Sequence, residues 1–245
     1  LLKLTQVPTP KQMWRRIFNF IIIVLLVIVA PGFLGIASVQ QNAWLQLFWA
    51  LMMFLAYAAI GYYAFRLLKA TTHGKVFHRP NIRNWQHMWY IIGIFVFMIV
   101  IEIIISALRI KFTGVTTTEN QTAIQNLTEH LNVTMVAMVI YGVVLAPVVE
   151  EIIFRGLVIN YFFRHSWWWA SIILSGVLFA FPHMGAVPTN LADVLSYLIY
   201  MVMGMVMAYV YKKTGNLQDS IAIHFINNAV TMLPVLVIVI FKALS

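Results

Sequence analysis

The sequence predicts an all-α, polytopic helical membrane protein with about seven to eight transmembrane helices around an intramembrane cavity. Three observations carry that prediction. The chain is 62% hydrophobic and only 9% charged, where soluble domains carry roughly 25% charged residues. Several apolar runs are long enough to cross the ~30 Å hydrocarbon core of a bilayer as a helix. The alternating ~10-residue segments of a membrane β-barrel are missing from the sequence. No internal repeat or low-complexity segment is visible, so residues 1–245 are expected to form a single integral membrane domain.

Residues 1–16 are polar and basic (Lys3, Lys11, Arg15, Arg16), and Pro8 and Pro10 discourage helix there. Seven candidate spans follow: Ile17–Val39, Ala43–Phe65, Met88–Leu108, Val133–Phe163, Trp167–His183, Leu191–Tyr211 and Ser220–Phe241. The first apolar run is too long for a cleavable signal and lacks a clear small-residue cleavage site after it, so it is expected to remain as a span. The fourth is long enough to be one tilted helix, or two pieces joined at a kink made by Pro147. The Thr/Asn-rich loop at 112–132 holds N-x-T triplets starting at Asn120, Asn126 and Asn132, which such composition produces readily without glycosylation.

The net charge of +9 does not point to nucleic acid, because the basic residues cluster between apolar runs. Four lie in the N-terminal segment and five after the second span (Arg66, Lys69, Lys75, Arg79, Arg83); Arg164, Lys212 and Lys213 follow the fourth and sixth spans. Only Arg109, Lys111 and Lys242 fall to the other side. The positive-inside bias then places the N-terminus in the cytoplasm of a multi-pass cell-membrane protein. Trp14, Trp85, Trp89, Trp167–Trp169 and Tyr211 at span ends suit interfacial anchoring. There are no cysteines, which excludes disulfides, thiol nucleophiles and Cys-based zinc sites.

The chemistry-bearing stretch is Ala146-Pro147-Val148-Val149-Glu150-Glu151-Ile152-Ile153-Phe154-Arg155-Gly156, inside a run otherwise free of charge. A charge at bilayer depth costs at least ~2.5–3.5 kcal/mol, so an intramembrane Glu-Glu…Arg group is by default a functional-site hypothesis. Its bland counterpart is a buried ion pair that only fixes packing. Glu151 and Arg155 are four apart, acid first, and share a helix face. Glu150 lies about 100° away and is left available. Later spans add Phe179 and His183, four apart, and His224 and Asn228, four apart, with Asn227 expected to point elsewhere. Measured from one face at 1.5 Å per residue, Glu150 lies about 21 Å deep and His183 about 24 Å. His224 and Asn228 lie about 14 and 20 Å deep if their helix starts near Gly215, so a shared site is permitted. Singly, each histidine or asparagine reads as well as a backbone-bonded residue or helix–helix glue. Glu102 is a further intramembrane acid, expected to pair with a basic group or to line the same cavity.

A carboxylate, two imidazoles and an amide shielded from bulk water are the parts of a hydrolytic site. Glu150 can take a proton from a water that His183 holds in line. His224 and Asn228 can donate to the oxyanion of a tetrahedral intermediate. Glu151 and Arg155 would fix the helix and set the local field. Ser175 and Ser196 lack a comparable His–carboxylate partner. Glu150, His183 and His224 also make a possible His₂Glu zinc set, with ligands from separate helices because H-E-x-x-H is absent. The metal-free version is the expectation and zinc the alternative.

In this order and on separate apolar segments, Glu150-Glu151-x-x-x-Arg155, Phe179-x-x-x-His183 and His224-x-x-x-Asn228 resemble the three motifs of the CPBP family. These are the CAAX proteases and bacteriocin-processing enzymes, intramembrane endopeptidases related to the type II CAAX prenyl endopeptidase. The resemblance covers about residues 140–235, within a motif-bearing core of about 133–241. It implies an all-helical fold around a catalytic cavity open toward the cytoplasm, and roles matching those above. It also implies a peptide or membrane-anchored protein as substrate in the bilayer, with bacteriocin immunity or peptide processing as a setting; nothing in the sequence implies a prenylated substrate. The family is described both as metalloproteases and as glutamate-type proteases, which leaves zinc open. Two other classes compete: a non-proteolytic membrane scaffold or immunity protein, and a transporter relaying protons through the acids, against which stands the missing repeat symmetry.

Overall fold

A computed structural model describes residues 9–72, 76–78, 84–163 and 167–244. The sequence readings that rested on Lys3, Pro8, Lys75, Arg79, Arg83 and Arg164 lie outside the described residues. Among those described, all regular structure is helical. The helices are α1 (Met13–Val29), α2 (Gly32–Ser38), α3 (Ala43–Thr72), α4 (Trp85–Thr113), α5 (Glu119–Leu127), α6 (Val133–Phe162), α7 (Trp168–Ala180), α8 (Leu191–Thr214) and α9 (Leu217–Leu244).

Counting α1 and α2 as one interrupted span at Pro31, six helices are long and apolar enough to cross a membrane. The fifth expected span, Trp167–His183, forms an apolar but shorter helical segment, Trp168–His183. It ends in a 3₁₀ turn, Phe181–His183, which stops the helix at depth and leaves His183 at its tip. Side-chain caps mark the starts: Asn84, Thr118, Asn132 and Asn190 accept from the backbone N–H three residues on. Left-handed Gly114 and Gly215 close α4 and α8, where a side chain would be strained. The short helix α5 was not foreseen; the Thr/Asn-rich stretch read as loop, but Thr118 caps a helix there.

Helix α6 is the central element. Of its apolar window 72% is buried, against 11% for α4, whose outward face is left for lipid. The kink expected at Pro147 takes another form. Two π-helical stretches, Tyr141–Leu145 and Ile152–Leu157, flank the turn that carries Pro147 and the acids, and α6 runs on unbroken. The wider turn relieves the clash a proline ring makes in an α-helix. Helices α7 and α8 pack at glycine contacts: a Cβ on Gly204 would lie 2.8 Å from Gly176 Cα, and one on Gly176 would lie 2.6 Å from the Met201 carbonyl oxygen.

Cross-helix contacts define two ends of the bundle. At one, Arg16 Nη1 donates to the Tyr161 carbonyl (2.6 Å), Asn160 Nδ2 donates to Tyr211 Oη (3.1 Å) and His87 Nε2 meets Asp219 Oδ1 at 3.1 Å. At the other, Arg109 Nη1 donates to Ser196 Oγ (3.0 Å), Thr118 Oγ1 lies 2.7 Å from Tyr200 Oη, and Gly185 N donates to Glu119 Oε2 (2.7 Å). Trp14, Trp85, Trp167 and Trp169 are exposed at the first end, as interfacial anchors require. Tyr211 is not one of them: it is buried and holds Asn160.

Candidate active site

The polar residues of three separate helices converge. From α6, Glu150 directs Oε2 to within 3.9 Å of His183 Nε2 at the tip of α7, and 3.8 Å of His224 Nε2 on α9. Both gaps exceed direct hydrogen-bond length and leave room for a small bridging group.

Each imidazole is anchored through its other nitrogen. His183 Nδ1 lies 2.8 Å from the Phe179 carbonyl, four residues back. A carbonyl only accepts, so Nδ1 carries the proton and the Nε2 of a neutral His183 presents a lone pair to Glu150. His224 Nδ1 lies 3.0 Å from Glu151 Oε1. Glu151 therefore does more than neutralise Arg155, the one role its spacing suggested: it also orients a histidine from another helix. Its pairing with Arg155 Nη1 (3.1 Å) is as the four-residue spacing requires, and both side chains are fully buried.

Phe179 sits at the hub. The Arg155 guanidinium lies 4.2 Å over its ring, and the His183 and His224 rings lie 4.5 and 5.5 Å from it. Arg155 Nη2 also donates to the Gly204 carbonyl (3.3 Å), tying α6 to α8. Asn228 lines the site, and its Nδ2 donates to the Gly142 carbonyl at 2.7 Å. Asn227, expected to point elsewhere, lines the cavity too: it lies only about 100° round α9 from Asn228, and the cavity is wide enough to be bordered by both. Ser175 and Ser196 are engaged elsewhere, on the Phe154 carbonyl and Arg109.

Sequence reasoning missed Tyr57. It is buried in α3, stacks edge-on against Tyr141 at 4.9 Å, and its hydroxyl reaches Glu150 Oε1 at 3.4 Å. A tyrosine in an apolar helix gives no periodic signal; only packing reveals its neighbour.

A cavity of about 290 Å³ joins Glu150, His183, His224 and Asn228 to a polar arm formed by Glu102, Arg109, Thr116, Thr118 and Asn120. Glu102 thus lines the same cavity, the second of its two expected fates. The cavity lies toward the end of the bundle that carries α5, away from Arg16, Tyr161 and Lys212.

The zinc alternative asks for three donors around one ion. Tetrahedral bonds of ~2.0–2.1 Å hold ligand atoms about 3.3–3.5 Å apart. Glu150 Oε2 stands wider than that from both Nε2 atoms, and among the described residues no group of three or more His, Asp or Glu side chains is arranged to hold a metal ion.

Residues 132–230 match the family model described as type II CAAX prenyl endopeptidase Rce1-like. The chain is also 24% identical over 232 residues to "Putative membrane peptidase YdiL" of Bacillus subtilis (strain 168), covering 89% of this chain and 86% of that protein. No solved structure matches it significantly.

Proposed function

We propose, from the match of residues 132–230 to the Rce1-like family model of type II CAAX prenyl endopeptidases, that the chain is an intramembrane endopeptidase that hydrolyses a peptide bond with water activated by Glu150. The observation that carries this reading is the convergence of Glu150, His183 and His224, from three helices, on one polar cavity, with the Nε2 atoms of both imidazoles within 3.9 Å of Glu150 Oε2.

Water bound between Glu150 Oε2 and the lone pair of His183 Nε2 gives one proton to Glu150, and its oxygen attacks the scissile carbonyl carbon. The carbonyl oxygen becomes an oxyanion. Asn228 offers it the Nδ2–H not spent on Gly142. His224 offers Nε2–H in its protonated form, with Glu151 as counter-charge at Nδ1. Glu150 then passes its proton to the departing nitrogen, the C–N bond breaks, and a carboxylic acid and an amine leave. A role in bacteriocin immunity or peptide processing is a compatible setting.

Purified protein is expected to cleave members of a mixed quenched-peptide library. Glu150→Ala should lower the rate by about 10²–10⁴, the usual worth of a positioned general base. Turnover retained in that variant removes Glu150 from the mechanism. Activity should also survive a strong chelator; chelator-sensitive cleavage with stoichiometric bound zinc would replace the glutamate reading by the metal one. A scaffold or immunity role predicts instead that Glu150→Ala and His183→Ala fold normally and preserve the cellular phenotype.

A further inference from the structure

The two ends of the bundle differ sharply in charge, and the site belongs to one of them. Among described residues, Lys11, Arg15, Arg16, Arg66, Lys69, Lys212 and Lys213 lie at or near the end where Arg16 meets Tyr161 and His87 meets Asp219. Arg109, Lys111 and Lys242 are the basic residues toward the opposite end, and the whole of 114–132 contains neither lysine nor arginine. Lysine and arginine in short connections, not acids, set the orientation of a helical membrane protein.

The cavity opens among these basic-poor elements. Arg109 binds the Thr116 carbonyl (3.0 Å), Thr118 binds Tyr200, and Glu119 binds Gly185, two residues after His183, so the α4–α5 link frames its mouth. Glu150, His183 and Asn228 are reached from this side. On the basic side, the buried Asn160–Tyr211 pair and the wholly buried Phe154, Leu157, Val158 and Tyr161 close α6 off beneath the acids.

We propose that the catalytic cavity faces the non-cytoplasmic side of the membrane, and that its substrate is a peptide segment already on that side, free or emerging from the bilayer. This deepens the endopeptidase reading and rests on it for the word substrate, though not for the sidedness. The polar mouth, with Thr116, Asn120 and Gln121 beside Arg109 and Glu102, suits a hydrated peptide chain.

The chain has no cysteine, so single cysteines report position without background. Thr116→Cys and Gln121→Cys mark the mouth; Gln12→Cys and His78→Cys mark the other end. Sealed right-side-out vesicles are treated with a charged, membrane-impermeant maleimide, and labelling is read as a fraction of that in detergent. The mouth pair should label nearly to completion and the other pair almost not at all. The reverse pattern, or equal labelling of both pairs, overturns the proposal. Alkaline phosphatase fused after the full chain should be active; an inactive fusion with a fluorescent cytoplasmic reporter at the same place also overturns it. A second arm separates this proposal from the protease reading. An impermeant quenched-peptide library should be cut by right-side-out vesicles and spared by inside-out ones until detergent is added. Cutting by inside-out vesicles alone overturns the sidedness. An absence of cutting even in detergent counts against the endopeptidase, while the labelling still decides which way the cavity faces.

Discussion

Arg155 shows how a charge survives at the centre of an apolar bundle. It is wholly buried, yet Glu151, the Gly204 carbonyl and the Phe179 ring surround its guanidinium. A buried ion pair returns little net stability, but removing one partner strands the other. Arg155→Ala is therefore expected to destabilise the fold by about 3–5 kcal/mol, seen as a lower melting temperature in detergent. Arg155→Lys should recover only part, because an ammonium cannot both lie flat on Phe179 and reach two acceptors. An unchanged melting temperature in the Ala variant would mean Glu151 has another counter-charge. Tyr57 makes a milder case. Its 3.4 Å bond to Glu150 is long, so Tyr57→Phe should lower kcat by about fivefold, the worth of one ordinary hydrogen bond, and leave the melting temperature near its starting value. The Glu151–Arg155 pair was legible from spacing alone, because two residues four apart on a helix must meet. The bond from Glu151 to His224 was not: it joins positions 73 residues apart, and no local rule relates them.

At the scale of the element, Pro147 explains how Asn228 is held. The Ala146 N–H, which in an α-helix would serve Gly142, goes instead to the Tyr141 carbonyl. Pro147, next in line for the wider π turn, has no N–H to give. The Gly142 carbonyl is thereby left for the Asn228 side chain at 2.7 Å. Pro147→Ala restores a competing donor and is expected to free the Asn228 amide. Cleavage should then lose kcat with KM little changed, toward the ~10²–10³ loss typical of a missing oxyanion donor, while a thermal melt stays near or above the original. A fall in melting temperature with kcat intact would show that the proline is merely structural. The sequence marked Pro147 as a disturbance of the helix, but a kink and a π turn satisfy the same local constraint. Packing selected the π turn, since Gly142 lies against Met232 so closely that an added Cβ would sit 2.6 Å from its sulfur.

Across the whole molecule, the site and its mouth are held together by contacts between distant helices. Arg109 links α4 to α8 through Ser196 and to the α4–α5 link through the Thr116 carbonyl. Arg109→Met should loosen that frame without touching Glu150 or the histidines. KM for a cleaved peptide is expected to rise with kcat held, the signature of lost uniform binding; a fall in kcat alone would tie Arg109 to the chemistry. What the sequence by itself determined is the class of molecule, the apolar segments and the residues able to do chemistry. Those follow from composition, from run length against bilayer thickness and from spacing along a single helix. The tertiary structure alone decided that Glu151 orients His224, that Tyr57 touches Glu150, that Asn227 joins the cavity, and which end of the bundle the cavity meets. Each of these is a relation between helices, fixed by side-chain packing across the bundle, and the periodicity of one helix carries no record of what its neighbour places opposite.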